Sequence, residues 1–210
     1  VYARYVLRLR PLDPLRREPD ARLRGVVLHE ILERFVRQRP EGEDRPAAKA
    51  RLLATTAAVL DERTPWPAAK ALWLARIERA AEFFLASDAA HGGVSVALEE
   101  RGRLAVVPEF ELFGTPDRID VLPDGRLHLI DYKTGSPPTE KMQRAFDKQL
   151  LLAAAMAERG GFPGLEAAEV ARISYVGLGT TPKAEETEMT PAITGAAWEG
   201  LVALIERYQQ

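Results

Sequence analysis

The 210-residue chain contains no cysteine, which excludes disulfides, zinc–thiolate sites and cysteine-held iron–sulfur clusters within it. It also lacks any apolar run approaching about 18 residues, so no segment reads as a membrane-spanning helix. The opening "VYARYVLRLRPLDPL" has neither the look of a signal peptide nor an initiator methionine. A fragment of a longer, cytoplasmic protein is the expectation. Net charge is small: 29 Lys and Arg against 31 Asp and Glu leave −2. That argues against a wholly basic nucleic-acid binder and confines any such contact to a local patch. Neither an internal repeat nor a low-complexity tract is present. What is there, 46% hydrophobic and 29% charged residues, suits an ordinary globular protein with a sizeable core, read as a single domain over 1–210.

The pattern along the chain divides it into a mainly helical part, 1–92, and an α/β part, 93–210. "LRGVVLHEILERFVRQ" (23–38) carries Leu28, Ile31, Leu32 and Phe35 at helical spacing. Alanine-rich helices are expected near 47–61 and 67–87, separated at Pro65 and Pro67. From Val94 the runs shorten and alternate as strands do. Those near 104–113, 116–122 and 126–133 are expected in one sheet, joined by 170–177 and flanked by a helix over 139–159. "TTPKAEETEMTP" reads as a charged loop and "AAWEGLVALIERYQQ" as a closing helix. The order predicts an α/β fold with a mixed sheet, entered through helices.

Chemistry concentrates in "GTPDRIDVLPDGRLHLIDYKTG" (114–135). Asp-Gly in "LPDGR" supplies the left-handed residue of a short hairpin loop. A three-residue loop at 123–125 sets Asp117 opposite Asp131, with Cβ atoms about 4.5–5.5 Å apart. Alternation puts Lys133 on the same face, with Ile119, Val121, Leu127 and Leu129 behind. Opposed like charges are destabilising unless neutralised, and a divalent cation shared by both carboxylates does this. The plainer reading is a solvated strand end with Lys133 paired to one aspartate. His29, on an otherwise apolar helix face, is on its own most simply a surface or satisfied core histidine. Gln149 follows the hairpin on an apolar helical stripe; it is either a buried amide bonded to the adjacent strand or a functional group. Asp120 falls on the opposite strand face and reads as structural, a partner for Arg118 or a neighbour.

Together "RGVVLHEILERF", "GTPDRID", "LHLIDYKTG" and "KQLLLAAAM", in that order, resemble the PD-(D/E)xK nuclease superfamily, in particular its RecB-like branch. The resemblance covers about 22–180. The opening "YARYVLRLRPLDPL" is further similar to the C-terminal nuclease domain of the AddB family of double-strand-break repair subunits. The resemblance implies a restriction-endonuclease-like core and a deoxyribonuclease acting on single-stranded DNA ends in end resection and recombinational repair, beside an AddA-like helicase–nuclease partner. It implies His29, Asp117 and Asp131 as metal ligands, Lys133 as the catalytic lysine and Gln149 as the motif glutamine. Two departures stand out. Many relatives have a tyrosine four residues after the glutamine, where this chain has Ala153, and the iron–sulfur cluster of some AddB proteins has no cysteines here.

For such a site Mg²⁺ is the expected cofactor, with Mn²⁺ also supporting activity because a histidine ligand suits it better. Alternation exposes the Tyr132 backbone carbonyl beside the carboxylates as a further ligand. A lysine seated between carboxylates is a poor general base, since both favour its charged form; orientation of the water and stabilisation of developing charge suit it better. The rival is a catalytically silent DNA-binding or scaffolding module that keeps the fold.

Overall fold

The structure, a computed structural model, describes residues 20–139, 142, 143 and 148–209. The opening segment that carries the AddB resemblance lies outside the described residues, as do 140–141 and 144–147 of the expected 139–159 helix. Among the described residues three helices come first: α1 (Ala21–Arg37), α2 (Arg45–Arg63) and α3 (Pro67–His91). Asp20 caps α1 by accepting from the Leu23 N–H at 2.7 Å, and Asp44 caps α2 by accepting from Ala47 at 2.8 Å. Gly92, at φ +67, ends α3 in the left-handed conformation. The strands follow: β1 (Val94–Leu98), β2 (Gly102–Val107), β3 (Phe110–Gly114), β4 (Arg118–Val121) and β5 (Leu127–Lys133). After them come α4 (Gln149–Ala157), β6 (Val170–Gly177), β7 (Lys183–Glu188) and α5 (Pro191–Gln209). Among the described residues no helix is long and apolar enough to cross a membrane.

Five strands form a mixed sheet in the order β1-β4-β5-β6-β7, while β2 and β3 pair only with each other. β5 and β6 run parallel, and a parallel pair needs a crossover, which here contains α4. The sheet separates two cores. Ile130, Tyr132, Val176 and Leu178 face α1–α3, meeting Ile31, Leu32, Phe35, Phe84 and others. Ile119, Leu127, Leu129, Ile173 and Tyr175 face α4, meeting Leu150, Ala153, Ala154 and Met156. Edge-to-face contacts carry the helical layer onto β5: Phe35 on Phe84 at 5.7 Å and Phe84 on Tyr132 at 5.9 Å between centroids. The architecture is thus α/β, a mixed central sheet flanked by helices.

Two expectations fail, each for a physical reason. The 104–113 run is not one strand of the main sheet. It breaks at Pro108–Glu109, where Glu109 takes φ +68, and folds into the separate β2–β3 hairpin. The "charged loop" holds β7, whose KAEETE sequence has no apolar alternation to betray it. It is an edge strand held by its ladder to β6, and its charges suit an edge that must not recruit another chain.

On the face toward α3 the sheet also buries polar groups. Arg118, 1% exposed, donates to both carboxylate oxygens of Asp120 at 2.6 Å and also to Asp88 of α3. Beside it His128 is fully buried, bonded through Nε2 to Ser174 Oγ at 2.7 Å and packed at right angles on His91. Burial, reinforced by His91, Arg172 and Arg118, holds His128 down to about 2. It is therefore neutral when folded, whereas the unfolded imidazole takes a proton below about pH 6.5. Its contribution is fully present above that pH and is lost as pH falls, by about 1.4 kcal/mol per unit. Urea unfolding of parent and His128→Gln from pH 7.5 to 4.5 should show the difference in their stabilities changing by about that slope; parallel curves would show a histidine that charges freely in the fold.

Candidate active site

The β4–β5 turn sets the site. Gly125 sits at φ +84, its N–H bonds to the Leu122 carbonyl at 2.9 Å, and Leu122 N–H bonds to the Arg126 carbonyl at 2.8 Å. This closes a loop over 123–125 and fixes the register from Val121 opposite Leu127 to Arg118 opposite Ile130. One step further along that register, Asp117 meets Asp131. Asp117 Oδ2 accepts from the Tyr132 backbone N–H at 2.5 Å, so the first carboxylate is stapled to the strand that bears the second.

Two further elements converge there. His29, one helical turn before Glu33 on α1, reaches over the end of β5. Its Nε2 lies 3.0 Å from the Tyr132 carbonyl oxygen; a carbonyl only accepts, so Nε2 carries the hydrogen. Nδ1 is thereby aimed at Glu99 Oε1, 3.2 Å away, and Asp117 Oδ1, 3.4 Å away. The Tyr132 carbonyl keeps a second lone pair. Glu99 follows β1 and takes φ +51, a left-handed conformation that costs a residue with a Cβ about 1–2 kcal/mol. Its own N–H donates to the Asp117 carbonyl at 3.0 Å, so the strained backbone both clamps β4 and turns the Glu99 carboxylate inward. Such strain collects where a side chain must be aimed.

His29 Nδ1 and one oxygen each of Glu99 and Asp117 all lie within 4.8 Å of one another. Donors on opposite sides of a cation about 2.0–2.5 Å from each are separated by about 4–5 Å, so one ion fits among them. The electrostatics point the same way. Burial, then the neighbouring charge of Asp131, pushes Asp117 up to about 7, against the pull of His29 and the Tyr132 N–H. Burial disfavours a charged His29, but the hydrogen bond to Glu99 and the charges of Asp117 and Glu99 outweigh it and raise the group to about 9. A protonated imidazole thus supplies the positive charge that these carboxylates require. A divalent cation would meet the same need through donors of nitrogen and oxygen type, a set that suits Mn²⁺ and Mg²⁺.

Lys133 Nζ lies 2.7 Å from Asp131 Oδ2 and 5.6 Å from the centre of the Tyr175 ring. The pairing foreseen by the plainer reading of the strand end is therefore present, alongside the convergence of His29, Glu99 and Asp117. Asp131 is buried, and Lys133 is half-buried at the rim. β6 supports this end closely: a Cβ on Gly177, opposite Lys133, would stand 2.5 Å from the Gly135 carbonyl oxygen. Gln149 is exposed at the first residue of α4; it is not the buried amide that its apolar stripe suggests. Asp120 is turned away from the site and held by Arg118.

Glu99 is the residue that the sequence reading missed. Nothing in "ALEERG" separates it from Glu100. Its place depends on the pairing of β1 with β4, which sets Leu98 opposite Arg118. An acidic residue closing the strand before a hairpin that leads to a motif aspartate is the signal that was available.

Among known proteins the chain is 25% identical over 174 residues to the uncharacterized protein RC0550 of Rickettsia conorii. The match takes in 77% of this chain and spans only 20% of that relative's length. The solved structure of SSO0001 is similar over 86% of this chain and 87% of its own, at 12% identity and a TM-score of 0.31. A family model matches residues 2–207, essentially the whole sequence: the chain belongs to the PD-(D/E)XK nuclease superfamily.

Proposed function

We propose that the chain hydrolyses DNA phosphodiesters at a divalent cation held by His29 Nδ1, Glu99, Asp117 and Asp131. The observation that carries this reading is the convergence of the first three donors within 4.8 Å beside the Asp131–Lys133 pair. When bound, the cation acidifies a water ligand and polarises the phosphoryl oxygen. The residues then divide the remaining work. The Tyr132 N–H fixes the rotamer of Asp117, and the Tyr132 carbonyl fixes the tautomer of His29 so that Nδ1 is free to ligate. Asp131 holds the Lys133 ammonium at the rim, where it orients the attacking water and stabilises charge developing on phosphate. Gln149 is assigned to the substrate side, which its exposure suits. The Tyr132 carbonyl remains available as a further ligand through its second lone pair.

We assign Mg²⁺ as the physiological ion, with Mn²⁺ as an effective substitute. The substrate assigned is the single-stranded end of DNA during double-strand-break resection, in the cytoplasm, with an AddA-like helicase subunit as partner. The sequence motifs support those finer assignments.

The test is metal dependence. At about a hundred times its Kd, Mn²⁺ should stabilise the fold by about 2.7 kcal/mol. For a chain of 210 residues that raises Tm by roughly 5–11 °C. Cleavage of a fluorescent single strand should require Mg²⁺ or Mn²⁺ and stop with EDTA. A chain that neither shifts nor cuts is the silent scaffold.

A further inference from the structure

We propose that Phe113 and Arg101, on the outer face of the β2–β3 hairpin, form a stacking platform for an unpaired nucleobase of the DNA strand held at the site. This rests on the nuclease reading and adds where the strand runs. The hairpin has two unlike faces. Leu104 and Leu112 turn inward to the α4 core, and Gly102 and Gly114 lie close against Phe162 and Met156. Arg103, opposite Phe113, and Ala105, opposite Glu111, turn outward and are exposed. Phe113 is 46% exposed, a large share for an aromatic ring that adjoins an apolar core.

Two features distinguish this ring from an incidental surface phenylalanine. The first is its cations. The Arg101 guanidinium lies 4.5 Å from the ring centre and that of Arg103 6.0 Å. Arg103 is neutralised by Glu111, whereas Arg101 has no carboxylate partner among the described residues. The second is position. The hairpin is rooted in the site at both ends: Glu99 stands two residues before Arg101, and Asp117 four residues after Phe113. Four residues span at most about 14 Å, and the Glu99 N–H to Asp117 carbonyl bond draws the two roots together. A strand whose phosphate meets the carboxylate cluster therefore has its neighbouring nucleotides within reach of this ring. An aromatic face beside an unpaired cation suits that chemistry, because every base has a π-face and every nucleotide a phosphate. An exposed cation–π contact is weaker than base stacking, so an arriving base displaces Arg101 from the ring and frees it for phosphate.

Binding is measured with fluorescein-labelled oligo-dT by anisotropy in EDTA, so that catalysis plays no part. Phe113→Ala should weaken it by about tenfold, Phe113→Trp should retain it, and Arg101→Ala should lower the salt slope by about one. A single abasic nucleotide moved along the oligomer should cost the parent affinity at one position and Phe113→Ala at none. Because Phe113 is exposed, equal melting curves for parent and Phe113→Ala are expected. If the parent binds and cuts while Phe113→Ala binds equally well, the platform is wrong and the nuclease reading stands. If the parent neither binds DNA in EDTA nor cuts it in Mn²⁺, both fall. If Phe113→Ala abolishes self-association in sedimentation and leaves DNA binding intact, the face is a protein contact and the platform is overturned.

Discussion

Asp131→Asn and Lys133→Ala should each reduce cleavage of single-stranded DNA by a factor of about a hundred or more, yet they should part company on metal binding. Losing one preorganised group that stabilises transition-state charge costs about 10²–10³ in rate, and losing a metal ligand removes the ion that generates the nucleophile as well. Asp131→Asn should therefore abolish the Mn²⁺-induced rise in Tm together with cleavage. Lys133→Ala removes an ammonium 2.7 Å from the Asp131 oxygen. It takes away a positive charge that competes with the cation, so Mn²⁺ affinity should hold or increase while cleavage is lost. His29→Ala should fall between them, since water replaces one nitrogen donor, more readily on Mg²⁺ than on Mn²⁺. Asp117→Asn should act in opposite directions on the metal-free fold and on metal binding. Asp117 is raised to about 7 chiefly by burial and Asp131, so above that pH the metal-free fold carries a buried like-charge pair. The neutral isostere should raise the metal-free Tm above pH 7 and abolish the Mn²⁺ response. If Lys133→Ala lost the Mn²⁺ response as fully as Asp131→Asn, the two roles would have been assigned wrongly.

These experiments rest on residues that differ in how far the sequence disclosed them. The β4–β5 register was legible because turn chemistry is local: Asp-Gly closes the loop, and period-two alternation carries the consequence out to Asp117 and Asp131. The stripe of Ile119, Leu127 and Leu129 was legible for the same reason, since an apolar face needs only its own strand to declare it. Glu99 was not, because it enters the site through a pairing with a strand that follows an intervening hairpin. Its left-handed backbone is imposed by that pairing rather than favoured by its sequence. β7 escaped because an edge strand made of Lys, Ala, Glu and Thr hides the alternation that periodicity detects. Gln149 misled in the opposite direction. Counting by three and four from Ala153 and Met156, both buried, puts it on their stripe, but at the first residue of the described helix it stands beyond the core that the stripe covers. The superfamily motifs were fully legible, and the finer grouping within the superfamily rested partly on the opening segment.

Arg118 carries the largest expected effect on stability, because the polypeptide bearing Asp117 is anchored by it. Its guanidinium is 1% exposed and satisfies both oxygens of Asp120, which is fully buried, as well as Asp88 of α3. A buried ion pair gives back much of its attraction as desolvation, so the triad adds little net stability over an apolar equivalent. Removing one member alone is different: Arg118→Leu leaves Asp120 buried without its cation and Asp88 with Arg39 alone, which costs about 3–5 kcal/mol. That is a large part of the roughly 5–15 kcal/mol that holds a domain together, and for a chain of this size it lowers Tm by about 6–20 °C. Arg118→Lys should not rescue it, since one ammonium cannot grip Asp120 with two donors and reach Asp88 at once. Arg118→Leu combined with Asp120→Leu and Asp88→Asn should recover much of the loss, because it removes the charges along with their partner. Since Asp117 adjoins Arg118, the single variant should also weaken Mn²⁺ binding, and the triple variant should restore it. Melting curves with and without Mn²⁺ across the three variants decide the matter. If Arg118→Leu melted within 2 °C of the parent, the carboxylates would have found water or protons, and the anchoring of β4 would lie elsewhere.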